Sequence, residues 1–203
     1  MRFSIHNISG FIICCLLAAC SGNTPKQAKD RENLFTDNEL LDFVPFNLKQ
    51  YGIPAIIMLP DETSNIGAVT KPEVIHVDND FKWKIKVGQQ FQLLIEDYGD
   101  YSNLVDIKRK ELSDQTIFKI RYLINEKDII VYEKTLLVKG AKKAPHRLGL
   151  THRSYHVYGQ KKLGNISYEL KCDDNGAEKF VIQLMAKTIN SFQGIDDTSH
   201  NSN

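Results

Sequence analysis

Cysteine is scarce in this chain and placed where it cannot staple a fold. Of the four in 203 residues, Cys14, Cys15 and Cys20 lie near the start and Cys172 stands alone far downstream. No cysteine–histidine spacing matches a structural zinc site. Long apolar runs are missing too. The run over 11–19 falls short of the roughly 17–25 apolar residues that a transmembrane helix needs. No excess of one charge sign exists, with 26 Lys and Arg against 25 Asp and Glu. Such balance argues against a general nucleic-acid or polyanion binder. The Gly-x-Ser-x-Gly elbow, the phosphate-binding Gly-x-x-x-x-Gly-Lys loop, the dinucleotide fingerprint and the His-Glu-x-x-His helix are all absent, so no motif nominates a catalytic residue.

What is present begins at the amino terminus. Arg2 precedes the apolar stretch over 11–19, which closes on Leu17-Ala18-Ala19-Cys20. A basic start, a brief apolar core and small residues at the end read as an export signal. The ending resembles the lipobox of bacterial lipoproteins. That resemblance implies a signal peptide over 1–19, a diacylglyceryl group on the Cys20 sulfur and a body that works beside a membrane in the cell envelope. Ser21, with no Asp at that position, favours the outer membrane under enterobacterial sorting rules. Two or more acyl chains give stable anchoring, where one gives only marginal binding. Loss of the leader removes Arg2, Cys14 and Cys15. Cys172 is then the one free thiol of the body, and stability rests on packing.

Residues 20–33 are polar, contain Pro25 and read as a flexible tether with a reach of about 20 Å. Residues 196–203 read as a disordered tail. Between them, 34–195 is expected to form one domain with strands dominating. Trp83, Ile85 and Val87 alternate with Lys82, Lys84 and Lys86. Phe91, Leu93 and Ile95 share a face. Phe118, Ile120, Tyr122 and Ile124 alternate with Lys119 and Arg121. This period of two marks half-buried strands. A hairpin at 125–128 leads into a strand over 129–138. A second hairpin joins 155–160 to 166–172 around Gly164-Asn165. In its last strand Ile166, Tyr168, Leu170 and Cys172 line one side, which points Cys172 into the core. Further strands are expected over 53–59 and 74–77, with a tight turn at Asp78-Asn79-Asp80.

Helices punctuate the strands. The clearest is expected over 175–192, where Ala177, Phe180, Val181, Leu184, Met185, Thr188 and Ile189 recur at three- and four-residue spacing, capped by Asp174 or Asn175. Weaker helices are expected over 102–112, through Leu104, Ile107 and Leu112, and over 36–44. Antiparallel strands with helices packed on them make an α+β fold. The element order, with Tyr168 and Leu170 before the closing helix and Ser191-Phe192 at its end, resembles the PsbP-type fold over about 43–192. It implies a curved antiparallel sheet flanked by helices, and a binding or assembly role.

The most uneven charge lies between Glu133 and Glu169, where no carboxylate occurs. Lys134, Lys139, Lys142, Lys143, Arg147, Arg153, Lys161 and Lys162 fill that interval, with His146, His152 and His156. Sharing one face, they would attract an anionic lipid head group or an acidic envelope protein, more weakly as salt rises. Spread over several faces, they are merely solvated. The candidate contact residues are therefore Lys139, Lys142, Lys143, Arg147, His152, Arg153 and His156, with ring contacts from Tyr155 and Tyr158. The three histidines lack a fixed partner ligand, so neither a metal nor a cofactor is expected. Asp97-Tyr98-Gly99-Asp100-Tyr101 reads as a turn, with a grip on a cation or a sugar as the alternative. These readings converge on a lipid-anchored, non-enzymatic binding or assembly module. The alternatives are a small hydrolase or ligand carrier with a cleft on the sheet, and a structural lipoprotein with no ligand.

Overall fold

A computed structural model describes residues 43–64, 66, 71–77, 81–137 and 153–195. Among them are ten strands and two α-helices: β1 (Phe43–Asn47), β2 (Ala55–Pro60), β3 (Glu73–His76), β4 (Lys82–Val87), β5 (Phe91–Asp97), α1 (Leu104–Ser113), β6 (Phe118–Asn125), β7 (Ile129–Leu136), β8 (Arg153–Leu163), β9 (Ile166–Cys172), α2 (Lys179–Ser191) and β10 (Gln193–Gly194). The class is α+β. Seven strands form one antiparallel sheet in the order β3-β4-β5-β9-β8-β7-β6, and β1-β2-β10 form a smaller one.

The period of two sorts side chains between two separate cores. Trp83, Ile85, Phe91, Leu93, Ile95, Val131, Val157 and Leu170 face α2 and the small sheet. There they meet Ile182, Met185 and Ile189 of α2 with Ile57 and Leu59 of β2. Their neighbours Ile130, Tyr132 and Tyr158 face the opposite way, under Leu104, Val105 and Leu112 of α1. A register shift between Tyr122 and Ile124 breaks the alternation in β6. A bulge of this kind re-aims side chains, and Leu123 and Ile124 both enter the larger core.

The structure departs from the periodicity at several points. Phe43 and Val44, expected to end a helix, are in β1, paired with Pro60 and Leu59; residues 36–42 lie outside the described set. The helix expected from 175 starts at Lys179, and its cap is Glu178, with no side-chain capping bond. The cause is local. Asp173 Oδ1 accepts from the Asn175 N–H at 3.1 Å, and Gly176 takes a left-handed φ of 71°. Ala177 then bridges to Tyr155. These bonds claim 173–177 for a turn that wraps the edge of β8. Phe180 and Ile107, counted among the buried positions of their helices, are 47% and 55% exposed. Ile166 is at the exposed start of β9, while Cys172 is buried as its alternation requires. The expected tether, the tail and the turn at 78–80 lie outside the described residues.

Candidate functional site

The face under α1 holds the polar chemistry of the described body. A helix of ten residues covers only part of a seven-stranded sheet, and the strands beneath it carry tyrosines and charges. The sheet itself ties α1 down. Asn103 precedes the helix at a φ of 70° without a side-chain cap. Instead the Gln160 Oε1 of β8 accepts from the Leu104 N–H at 2.7 Å. Arg109 fastens the next turn, donating to Asn125 Oδ1 at 2.8 Å and to the Glu126 carbonyl.

Between the carboxyl half of α1 and the ends of β7, β8 and β9 lies a cleft of about 190 Å³. Lys108 and Glu111 approach from the helix, Lys134, His156, Tyr158 and Lys171 from the sheet, and Asp173 and Asp174 from the turn. Cys172 lines this cleft and also a second cavity of about 350 Å³, shared with Gln92, Gly176 and Met185.

His156 is the hinge of the site. Its ring stacks on Tyr132 at 5.0 Å and 9°. Nε2 lies 2.8 Å from the Ser154 hydroxyl, and Nδ1 lies 3.9 Å from Cys172 Sγ. Gly176 closes the other side so tightly that an added Cβ would lie 2.7 Å from ring carbon Cε1 and 2.5 Å from the Tyr155 carbonyl. Burial, with Lys134 and Lys108 nearby, pushes His156 down to about 4, against the opposing pull of Asp174. Burial pushes the Cys172 thiol up to about 11, although the Val157 N–H points at the sulfur. Both groups are therefore neutral near pH 7.

Deeper under α1, Glu169 is 4% exposed. It pairs with Lys171 at 2.5 Å and lies near the Tyr158 hydroxyl. Burial together with that carboxylate holds the Tyr158 hydroxyl protonated well above the usual range. The turn after β5 shelters this network, since Tyr98 N–H donates to the Ser167 carbonyl and Ser167 N–H to that of Gly99. Glu96 stands opposite Glu169 in register, and Lys82 answers it at 3.0 Å.

The sequence-derived contact residues divide sharply. Lys139, Lys142, Lys143, Arg147 and His152, with His146, lie outside the described residues. His156 and Tyr158 are buried, so neither presents a docking face. Tyr155 is half-buried, with its backbone bonded to Ala177. Arg153 gives its charge to buried Glu133 at 3.1 Å, beside Arg121 at 2.6 Å. Burial alone would raise that carboxyl, but the hydrogen bond and charge of Arg121, with Arg153, hold it below its usual range. Lys161 reaches towards the Asn190 carbonyl at 3.4 Å. Glu169, Lys108 and Ser154 were not picked out from sequence. Their one signal was that Glu169 and Lys171 recur on the strand side opposite Cys172.

Among the described residues, no group of three His, Cys, Asp or Glu side chains is placed to hold a metal ion, and no helix is long and apolar enough to cross a membrane. No family model and no curated protein sequence matches the chain.

Proposed function

We propose that this is a lipid-anchored envelope lipoprotein, held through Cys20, whose α+β body works as a reversible binding module at the cleft beneath α1. The observation that carries the reading is the chemistry of that cleft. It presents the Lys108–Glu111 and Lys171–Glu169 ion pairs, with Lys134, Asp173 and Asp174, around a neutral His156–Tyr132 stack. Such a lining suits recognition of a polar or charged group. It is poorly suited to nucleophilic chemistry, because a thiol held near 11 is not a ready nucleophile and an imidazole held near 4 is a weak base at neutral pH. The sheet with a helix on each face also agrees with a PsbP-like sandwich, which we adopt as the fold reading. Of the basic interval between Glu133 and Glu169, Lys134 of β7 lines the cleft itself, and Arg153 opens β8 in an ion pair with Glu133.

Tethering raises the effective concentration of the body for membrane partners. Intact-mass analysis of protein from its host is expected to find acyl chains on Cys20 and none in Cys20→Ser. The acylated protein should recover a defined set of partners or anionic lipids from membranes. A Lys142/Lys143/Arg147 charge reversal, and separately Lys108→Glu, should each lower that recovery. An unmodified Cys20 ends the anchoring reading, and unchanged recovery by both variants ends the cleft reading.

A hydrolase is the second reading, favoured by the 2.8 Å contact between Ser154 and His156. It expects ester turnover that Ser154→Ala abolishes and Cys20→Ser leaves alone.

A further inference from the structure

The cleft is lined by both Cys172 and His156, and Cys172 also lines the second cavity. Neither proposed activity uses Cys172. Three features distinguish it from a thiol buried only for packing. The first is the ring's fixed orientation, with Tyr132 stacked on one side and Gly176 against it. The Ser154 hydroxyl can accept from an Nε2–H, and in that tautomer the Nδ1 lone pair faces the sulfur. A hydrogen bond from the far ring nitrogen is how proteins orient metal-binding histidines. The second is the Val157 N–H, which donates to Sγ at 3.4 Å and would favour a thiolate. The third is the donor separation. With metal–sulfur and metal–nitrogen bonds of about 2.3 and 2.0 Å, two donors sit about 3.5 Å apart at a tetrahedral angle and about 4.3 Å apart on a line. The observed 3.9 Å lies between these spans, so an ion can bridge the pair without moving either strand.

We propose that Cys172 Sγ and His156 Nδ1 form a two-donor site for a soft monovalent d¹⁰ ion, with Cu(I) as the type. Charge selects the valence. A thiolate, a neutral imidazole and a monovalent cation sum to zero, which suits a buried position, whereas a divalent ion leaves a net charge there. Lys134 and Lys108, whose ammonium groups line the same cleft, penalise a dication further. Soft ions also accept thiolate readily and tolerate two ligands, whereas Zn(II) in structural sites takes four. On binding, the Cys172 S–H bond breaks, an S–Cu bond forms and one proton leaves to solvent. Copper stays Cu(I) and nothing is oxidised. The cleft gives the ion a route to both donors, and Met185 lines the second cavity on the Cys172 side.

The test uses the full chain with Cys14, Cys15 and Cys20 changed to Ser, kept anaerobic, with Cu(I) delivered from a chromogenic chelator. The expected result is one Cu(I) per chain, with a near-ultraviolet thiolate charge-transfer band and an affinity that rises about tenfold per pH unit while the thiol proton is displaced. Cys172→Ser should abolish the band and weaken binding at least 100-fold. Ser154→Ala should weaken it about tenfold or more through the ring orientation, and Zn(II) should compete poorly. Should Cys172→Ser unfold, the band and the pH slope of the unaltered Cys172 still decide the matter. No saturable binding, binding without the band, or equal affinity in a folded Cys172→Ser chain would overturn the site.

Discussion

The two faces of the seven-stranded sheet answer the same problem differently. On one face α2 and the small sheet close over an apolar core, where Ile85, Leu93, Ile95 and Leu170 are fully buried. On the other, α1 covers fewer strands, and its core of Leu104, Val105, Leu112 and Ile130 is filled out by Tyr132 and Tyr158. The first face gains stability from area removed from water, at about 25 cal/mol per Å² of apolar surface. The second gains it from polar groups that must each find a partner, and an unmet partner is costly there. The comparison teaches that the sheet splits its labour. One face holds the fold, and the other carries the charged and aromatic side chains of the cleft.

The comparison would break first on the apolar face. Phe91, fully buried, should cost about 3–5 kcal/mol when truncated to Ala, read as a lower urea midpoint with an unchanged slope. A loss under 1 kcal/mol would mean that this face is not the main support.

Acid should reveal the other face. His156 is held down to about 4 from an ordinary value of about 6.5. Between these values the unfolded chain binds more protons than the folded one, so stability falls as pH falls through that window, by roughly 3 kcal/mol in all. His156→Phe keeps a ring against Tyr132 and should flatten the slope between pH 6.5 and 4.5. The carboxyl of Glu133, held low by Arg121 and Arg153, also loses stability as pH falls, but below its ordinary value, so that part of the acid limb should persist in the variant. Denaturant midpoints at pH 7, 5.5 and 4.5 separate the two groups.

Smaller effects sharpen the contrast. Tyr158→Phe removes a buried hydroxyl beside the Glu169 carboxylate and should cost about 1 kcal/mol, although it removes almost no apolar area. Gln160→Ala removes the bond that tethers the start of α1 and should cost about 1 kcal/mol. Hydrogen exchange should then quicken in α1 while α2 is unchanged. Faster exchange in both helices would mean that the faces are not independent.

Much of the fold was legible because alternation is a local signal. Trp83, Ile85 and Val87 against three lysines require a strand with one buried side, whatever it pairs with. The stripe through Val181, Leu184, Met185 and Ile189 requires a helix on an apolar surface for the same reason. Legibility failed where long-range bonds outbid local preference. Residues 175–177 read as the first turn of a helix, yet the bridge from Ala177 to Tyr155 claims them. Val44 read as the end of a helix, yet it pairs with Leu59.

The candidate site was the least legible part. Tyr158 and His156 read as solvent-facing members of a basic stretch, because a one-dimensional count of charges cannot tell which strand face a helix will later cover. Residue order alone determined the strand alternation, the amphipathic closing helix, the balance of charge and the want of any disulfide pair in the body. Each of these follows from residue type and spacing. Only tertiary packing decided that α1 would land over β7 and β8, bury a histidine between a tyrosine and a glycine, and bring Cys172 within 3.9 Å of it. That outcome depends on the register of non-adjacent strands and on contacts between residues far apart in the chain, sixteen residues for His156 and Cys172, distances over which the local sequence pattern carries no information.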